Sequence, residues 1–147
     1  MLDSQEIEKN LLNAQGRFEY TVDGGVVVIP VYKYAHFFQN RTHTFFIGRD
    51  TDSDVQQTGV HLLFTYDKSL EFWGVDAPLG GDLIANFYNA GEVWGSQAGS
   101  ITGMFSSSQR AAFFQFDFTA QRNSQVKHIK GRLLLKESNF SSSIDSV

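Results

Sequence analysis

In the stretch 111–120, phenylalanine alternates with polar residues. Successive side chains of an extended strand point to opposite faces, so Phe114, Phe116 and Phe118 share one face. The polar residues between them lie on the other face. Three phenylalanines on a buried face require a thick aromatic core to receive them. The stretch therefore predicts a half-buried strand in a β protein with an aromatic interior.

Similar strand patterns recur along the chain, about eight to ten times, at spacings of roughly 8 to 14 residues. Hairpin-length turns such as Gly24-Gly25 and Ala90-Gly91 join them, and Pro30 predicts a bulge or an edge position. Short connections favour antiparallel neighbours. The sequence predicts an all-β fold, an antiparallel up-and-down β-barrel of about eight to ten strands, with a β-sandwich as the alternative. A barrel is favoured because closure removes exposed strand edges.

The sequence divides into three parts. Residues 1–16 are predicted to hold a short N-terminal helix, from Asp3 to Ala14, which Gly16 ends. Residues 17–137 form a single barrel domain, in which glycines divide the stretch after Glu92 into several short strands. Residues 138–147 are a flexible serine-rich tail.

Composition narrows the chemistry. The 147 residues contain no cysteine, which excludes disulfides, thiol nucleophiles and thiolate metal sites. The net charge is −4, and it is polarised: residues 1–109 carry 13 acids and 6 bases, whereas 110–147 carry 3 acids and 6 bases. The first residues lack the features of a signal peptide, and no apolar run could form a transmembrane helix. We expect either a secreted protein whose leader has been removed or a cytoplasmic one.

Amphipathic aromatic residues are the first candidate for a binding site. Their flat rings and polar tips could line a pocket for a small apolar ligand, although they could equally pack in the core and at its rim. The candidate ligand-binding residues are Tyr32, Tyr34, His36, Trp73 and Trp94.

The last predicted strand, 126–136, supplies the second candidate. His128, Lys130 and Arg132 share one face of it and could recognise an anion or an anionic membrane surface. The strand before it presents no matching row of bases, so an ordinary solvent face is the alternative. An acidic protein whose aromatic residues are needed for packing is not expected to bind nucleic acid.

The loop 50–58 begins with alternating carboxylates, Asp50, Asp52 and Asp54, which could converge on a hard cation. Val55 and His61 occupy the positions where a calcium loop would require glycine and glutamate. A solvated loop is therefore favoured, and no metal or other cofactor is predicted. The chain also lacks the sequence motifs of the common catalytic sites, and no catalytic residue is assigned.

Several segments carry a family resemblance over the middle two thirds of the chain. They are Tyr20-Thr21-Val22-Asp23-Gly24, Val31-Tyr32, His36-Phe37, Leu63-Phe64-Thr65 and Asn86-Phe87-Tyr88-Asn89 with Gly95. In these segments the chain resembles the secreted virulence-associated (Vap) proteins of intracellular bacterial pathogens. The resemblance implies a compact eight-stranded antiparallel barrel, secretion, and a non-enzymatic role at a host membrane or partner.

The sequence favours a non-enzymatic β-barrel that binds a partner, as a secreted effector acting on a host protein or membrane surface. The alternative is a carrier or isomerase-type enzyme that holds a small apolar ligand inside the barrel. The two hypotheses differ in where the binding residues lie, on the outer surface or in the interior.

Overall fold

The computed structural model describes residues 11–37, 43–65, 72–78, 83–106 and 109–138. Within these ranges the chain forms nine antiparallel strands. They are β1 (Ala14–Val22), β2 (Tyr32–Phe37), β3 (His43–Arg49), β4 (Gly59–Thr65), β5 (Phe72–Pro78), β6 (Leu83–Asn89), β7 (Glu92–Ser106), β8 (Ala111–Arg122) and β9 (Gln125–Glu137).

Eight of these strands form a nearly closed barrel, in the order β1-β9-β8-β7-β6-β4-β3-β2. Two isolated bridges, Asn13 with Tyr34 and Tyr20 with Val28, bring the first and last strands of this path together. The predicted all-β antiparallel barrel is confirmed, and the sandwich alternative is not adopted.

β7 is one strand of 15 residues, so the prediction of several short strands after Glu92 is wrong. Its first residues, Glu92 to Gly95, pair with β6, and its last part, Ser100 to Ser106, pairs with β5. The register with β8 shifts between Ser96 and Ala98, which marks a β-bulge. The glycines therefore bend a single strand around the barrel and do not divide it.

The predicted helix is wrong at its C-terminal end. Asn13 bridges to Tyr34, Ala14 begins β1, and Leu12 accepts a backbone hydrogen bond from Ala35. The rest of that helix, residues 3–10, and the serine-rich tail beyond Ser138 lie outside the described residues. No helix in the described ranges is long and apolar enough to cross a membrane.

The barrel interior is built from rings that lie beside glycines. Phe114, Phe116 and Phe118 are buried, as predicted, and pack with other inward-facing aromatic and aliphatic residues. The neighbouring strands place glycine opposite each ring. The pairs are Phe114 with Gly103, Phe116 with Gly131 and Phe118 with Gly99. A strand glycine leaves room for the ring of its cross-strand neighbour.

The joint between β1 and the segment before β2 is the weakest part of the barrel wall. Continuing the Tyr20–Val28 register places Phe18 opposite Pro30, which has no N–H to donate. Further along, the Lys33 Nζ donates to the backbone oxygen of Gly16 at 2.8 Å, in place of a backbone donor. Pro30 lies outside the named strands, between the Val28 bridge and β2, and a lysine side chain bridges the joint.

The fold predicts a strong penalty for adding one methyl group at Gly131. A Cβ there would lie 2.3 Å from the backbone oxygen of Glu19 and 2.7 Å from both Phe116 Cζ and Tyr20 Cβ. Because such overpacking forces the backbone or the rings to move, Gly131→Ala should lower the free energy of unfolding by about 1–3 kcal/mol. Urea denaturation measures the change.

Gly95→Ala is the matched control, since the nearest atom to its added Cβ is Asn86 Oδ1 at 4.0 Å. If the two variants were equally stable, the role given to the ring-and-glycine pairs would be wrong.

Candidate functional site

Three adjoining hollows lie on the outer face of β1, β8 and β9, and together we call them the outer trough. The central hollow, of about 490 Å³, extends across the sheet from Val27 to Ser100 and Thr102 on β7. Hollows of about 570 Å³, beside Leu134, and about 480 Å³, beside Ile29, adjoin it. Arg132 lines all three hollows, so they meet at this residue.

Local chain geometry explains the concave shape. The outward side chains at Thr21, Ser100 and Thr102 are short, which lowers the surface between the longer charged side chains. Gly131 contributes to the floor, between its cross-strand neighbours Tyr20 and Phe116. Barrel-wall residues therefore form the floor of the trough, and polar side chains form its rim.

The trough is locally basic although the chain is acidic. Four bases and two acids line its hollows; they are Arg17, Lys33, Lys130, Arg132, Glu19 and Asp117. Arg132 Nε donates to Glu19 Oε1 at 2.8 Å, and His128 Nε2 bonds to Asp117 Oδ1. Lys130 forms no ion pair with any described residue, so its charge is available to a ligand.

The predicted set His128, Lys130 and Arg132 is brought together on one exposed face of β9, as the alternation indicated. Sequence reasoning missed Glu19, Ser100 and the other trough residues of β1 and β7. Their positions depend on strand pairing across most of the chain, for which the sequence carried no signal.

The aromatic set predicted to bind a ligand does not converge. Tyr32 is exposed on β2, Tyr34 is buried in a small cluster with Phe45 and Ile47, and His36 stacks on Phe45. This cluster lies on the opposite face of the sheet from the barrel core. Trp94 lies in the barrel core, with the Lys127 ammonium 5.1 Å from its ring centre. Trp73 belongs to β5, of which the structure describes the backbone.

A buried polar cluster on the outer face of β3 and β4 holds the loop 50–58. The Arg49 side chain is fully buried, and its guanidinium lies 5.0 Å from the ring centre of Tyr34. It donates to Thr51 O at 2.9 Å and to Gln57 Oε1 at 3.3 Å. His61 Nε2 lies 2.8 Å from the same oxygen, and because an amide oxygen only accepts, Nε2 carries the proton. These contacts connect the loop to the barrel wall.

The pKa shifts of three side chains support structural roles for them. Burial, and then the charge of Arg49, lowers the pKa of His61 to about 3. Burial, and then the charge of Arg110, lowers the pKa of His36 to about 4. Burial, and then the charge of Asp50, raises the pKa of Tyr20 to about 12. All three side chains are neutral at pH 7. The two histidines are therefore poor proton acceptors at that pH, and the tyrosine is a poor proton donor.

The acidic loop shows no convergence on a cation. Asp50 Oδ1 accepts the backbone N–H of Thr58 at 2.8 Å, Asp52 is exposed and Asp54 half-buried. Within the described ranges, no group of three or more histidine, aspartate or glutamate side chains is placed to hold a metal ion. The carboxylate of Asp50 thus forms a hydrogen bond that closes its own loop.

Comparison with protein-family models, with curated proteins and with solved structures finds no match to this chain. The resemblance to the virulence-associated proteins stays a prediction, and the geometry alone carries the functional argument.

The lowered pKa values of His61 and His36 predict a pH-dependent stability. The pKa of His61 is about 3 in the folded protein and about 6.5 in the unfolded chain, so below pH 6.5 the unfolded chain binds more protons. Stability should therefore fall as the pH drops from 6.5 to 5, by up to about 1.4 kcal/mol per pH unit for each such histidine. Urea denaturation of the wild type and of His61→Gln across this range measures the slope.

His61→Gln should show a shallower slope than the wild type, because His36 alone then contributes. Parallel curves for the two proteins would contradict the assignment of His61 as a group that is neutral in the folded protein.

Proposed function

We propose that the chain is a non-catalytic recognition protein that binds an extended polypeptide segment of a partner in the outer trough. The observation that carries the proposal is that three hollows of similar size meet at Arg132. A row of adjoining hollows suits an elongated ligand, whereas a small ligand would occupy one hollow.

The lining of the trough defines the chemistry of the partner. Lys130 lies in the central hollow without an ion-pair partner among the described residues and favours an acidic side chain. Ile29 borders one adjoining hollow, and Phe113 and Leu134 border the other. The proposed ligand is therefore a segment with a central acidic residue and apolar residues on both sides of it.

A shaped protein ligand fits this surface better than an anionic membrane. A bilayer surface is flat, and it would leave the floor of a concave groove without contact. Glu19 and Asp117 lie among the bases and would repel anionic headgroups. The membrane alternative, through His128, Lys130 and Arg132, is an outcome that the following test distinguishes.

Selection of displayed random peptides on the immobilised chain tests the proposal. We expect enriched peptides to carry an acidic residue between apolar ones, and Lys130→Glu to weaken their binding about tenfold or more, measured by fluorescence anisotropy. Lys136→Glu is the matched control, because Lys136 is exposed on the same face of β9 and lies outside the trough.

Three results would overturn the proposal. Selection could enrich no peptide, the selected peptides could bind Lys130→Glu as tightly as the wild type, or the chain could bind anionic vesicles and no peptide. Binding to vesicles that Lys130→Glu abolishes would favour the membrane alternative.

A further inference from the structure

The segment between β1 and β2 exposes an unusual number of apolar side chains. Val26 is 85% exposed, Val27 54%, Ile29 70% and Val31 72%. Isolated exposed apolar residues are common on protein surfaces, but four within six residues form a patch that calls for a partner.

The backbone of the same segment presents an open strand edge. Val28 and Tyr20 exchange two hydrogen bonds, of 2.7 and 3.0 Å, so Val28 turns its polar groups toward β1. Because these directions alternate along a strand, Val27 and Ile29 turn their N–H and C=O groups away from β1. Neither residue makes a backbone hydrogen bond there within the described part of the chain. By the same alternation, the nitrogen of Pro30, which carries no hydrogen, faces β1. The open edge therefore lacks no donor at this position.

This edge lacks the usual protection against pairing. Soluble proteins commonly place lysine, another charge or a covering loop at a free edge. No residue from 24 to 32 is charged. The first charges on either side are Asp23 and Lys33, which have opposite signs.

We propose that this edge pairs antiparallel with the same edge of a second copy of the chain, about a two-fold axis at Val28. Val27 then lies opposite the partner's Ile29, and each such pair exchanges two backbone hydrogen bonds. The pairing is confined to residues 26–30 of each copy, because the chain turns at Asp23 and Gly24 on one side and β3 pairs with the same edge from Tyr32 onward on the other. Pairing of two copies in this way gives the open backbone groups of both segments hydrogen-bond partners.

A second copy satisfies the edge better than a lipid surface does. Inserting the segment into a bilayer would bury the apolar side chains, but it would leave the backbone groups of Val27 and Ile29 without partners. Strand pairing covers the side chains and completes the hydrogen bonds together. Val27 and Ile29 also border hollows of the outer trough, so the dimer would cover one side of it. The test therefore uses the protein without a peptide ligand.

Sedimentation velocity over a dilution series from micromolar to near-millimolar protein tests the proposal. We expect a reversible monomer–dimer equilibrium for the wild type. The double variant Val27→Lys/Ile29→Lys should be monomeric throughout, because it places like charges directly opposite each other. Val27→Glu/Ile29→Glu should be monomeric for the same reason.

Mixing the two double variants should restore a dimer, since lysine then lies opposite glutamate across the edge. Val55→Lys is the control, because Val55 is also strongly exposed and lies in the loop 50–58; this variant should dimerise like the wild type. Circular dichroism melts check that each variant is folded. A wild type that is monomeric over the whole series, a dimer that persists in either double variant, or a mixture that fails to dimerise would overturn the proposal.

Discussion

The barrel depends on fitting large aromatic rings into an interior that eight strands make only just wide enough for side chains. Each inward ring of β8 has a glycine beside it on a neighbouring strand, as Phe116 has Gly131. Because the neighbouring glycine has no side chain, the ring occupies the space of two side chains. Where Gly131 meets the outer face, it also forms part of the trough floor. The packing of the core and the shape of the candidate site therefore share a cause.

Strand faces could be predicted from the sequence because a period of two is a local property. Phe114, Phe116 and Phe118 are buried, and His128, Lys130 and Arg132 face outward, as their alternation indicated. That β7 is one continuous strand could not be predicted in the same way. Gly99 and Gly103 have φ angles of 143° and 149°, which suits a bent strand as well as a break. The choice between a bend and a break depends on the rings of β8 that pack against these glycines.

The candidate site was harder to predict because its parts come from distant places in the chain. Glu19 meets Arg132 across 113 residues, through a pairing of β1 with β9 that no local pattern encodes. The aromatic set failed for a related reason: Tyr34 and Trp94 are both buried, but on opposite faces of the sheet. A polar-tipped ring shows that a residue can line a pocket and does not show which face it occupies.

The lysine that bridges the joint between β1 and β2 has a consequence for the motions of the barrel. A side-chain contact from Lys33 to the Gly16 carbonyl replaces a ladder of backbone bonds, so this part of the wall has the fewest interactions to break. Local opening in proteins begins where such bonds are sparse. The wall should therefore part along this line first, with β1 and β2 as the two margins of the opening.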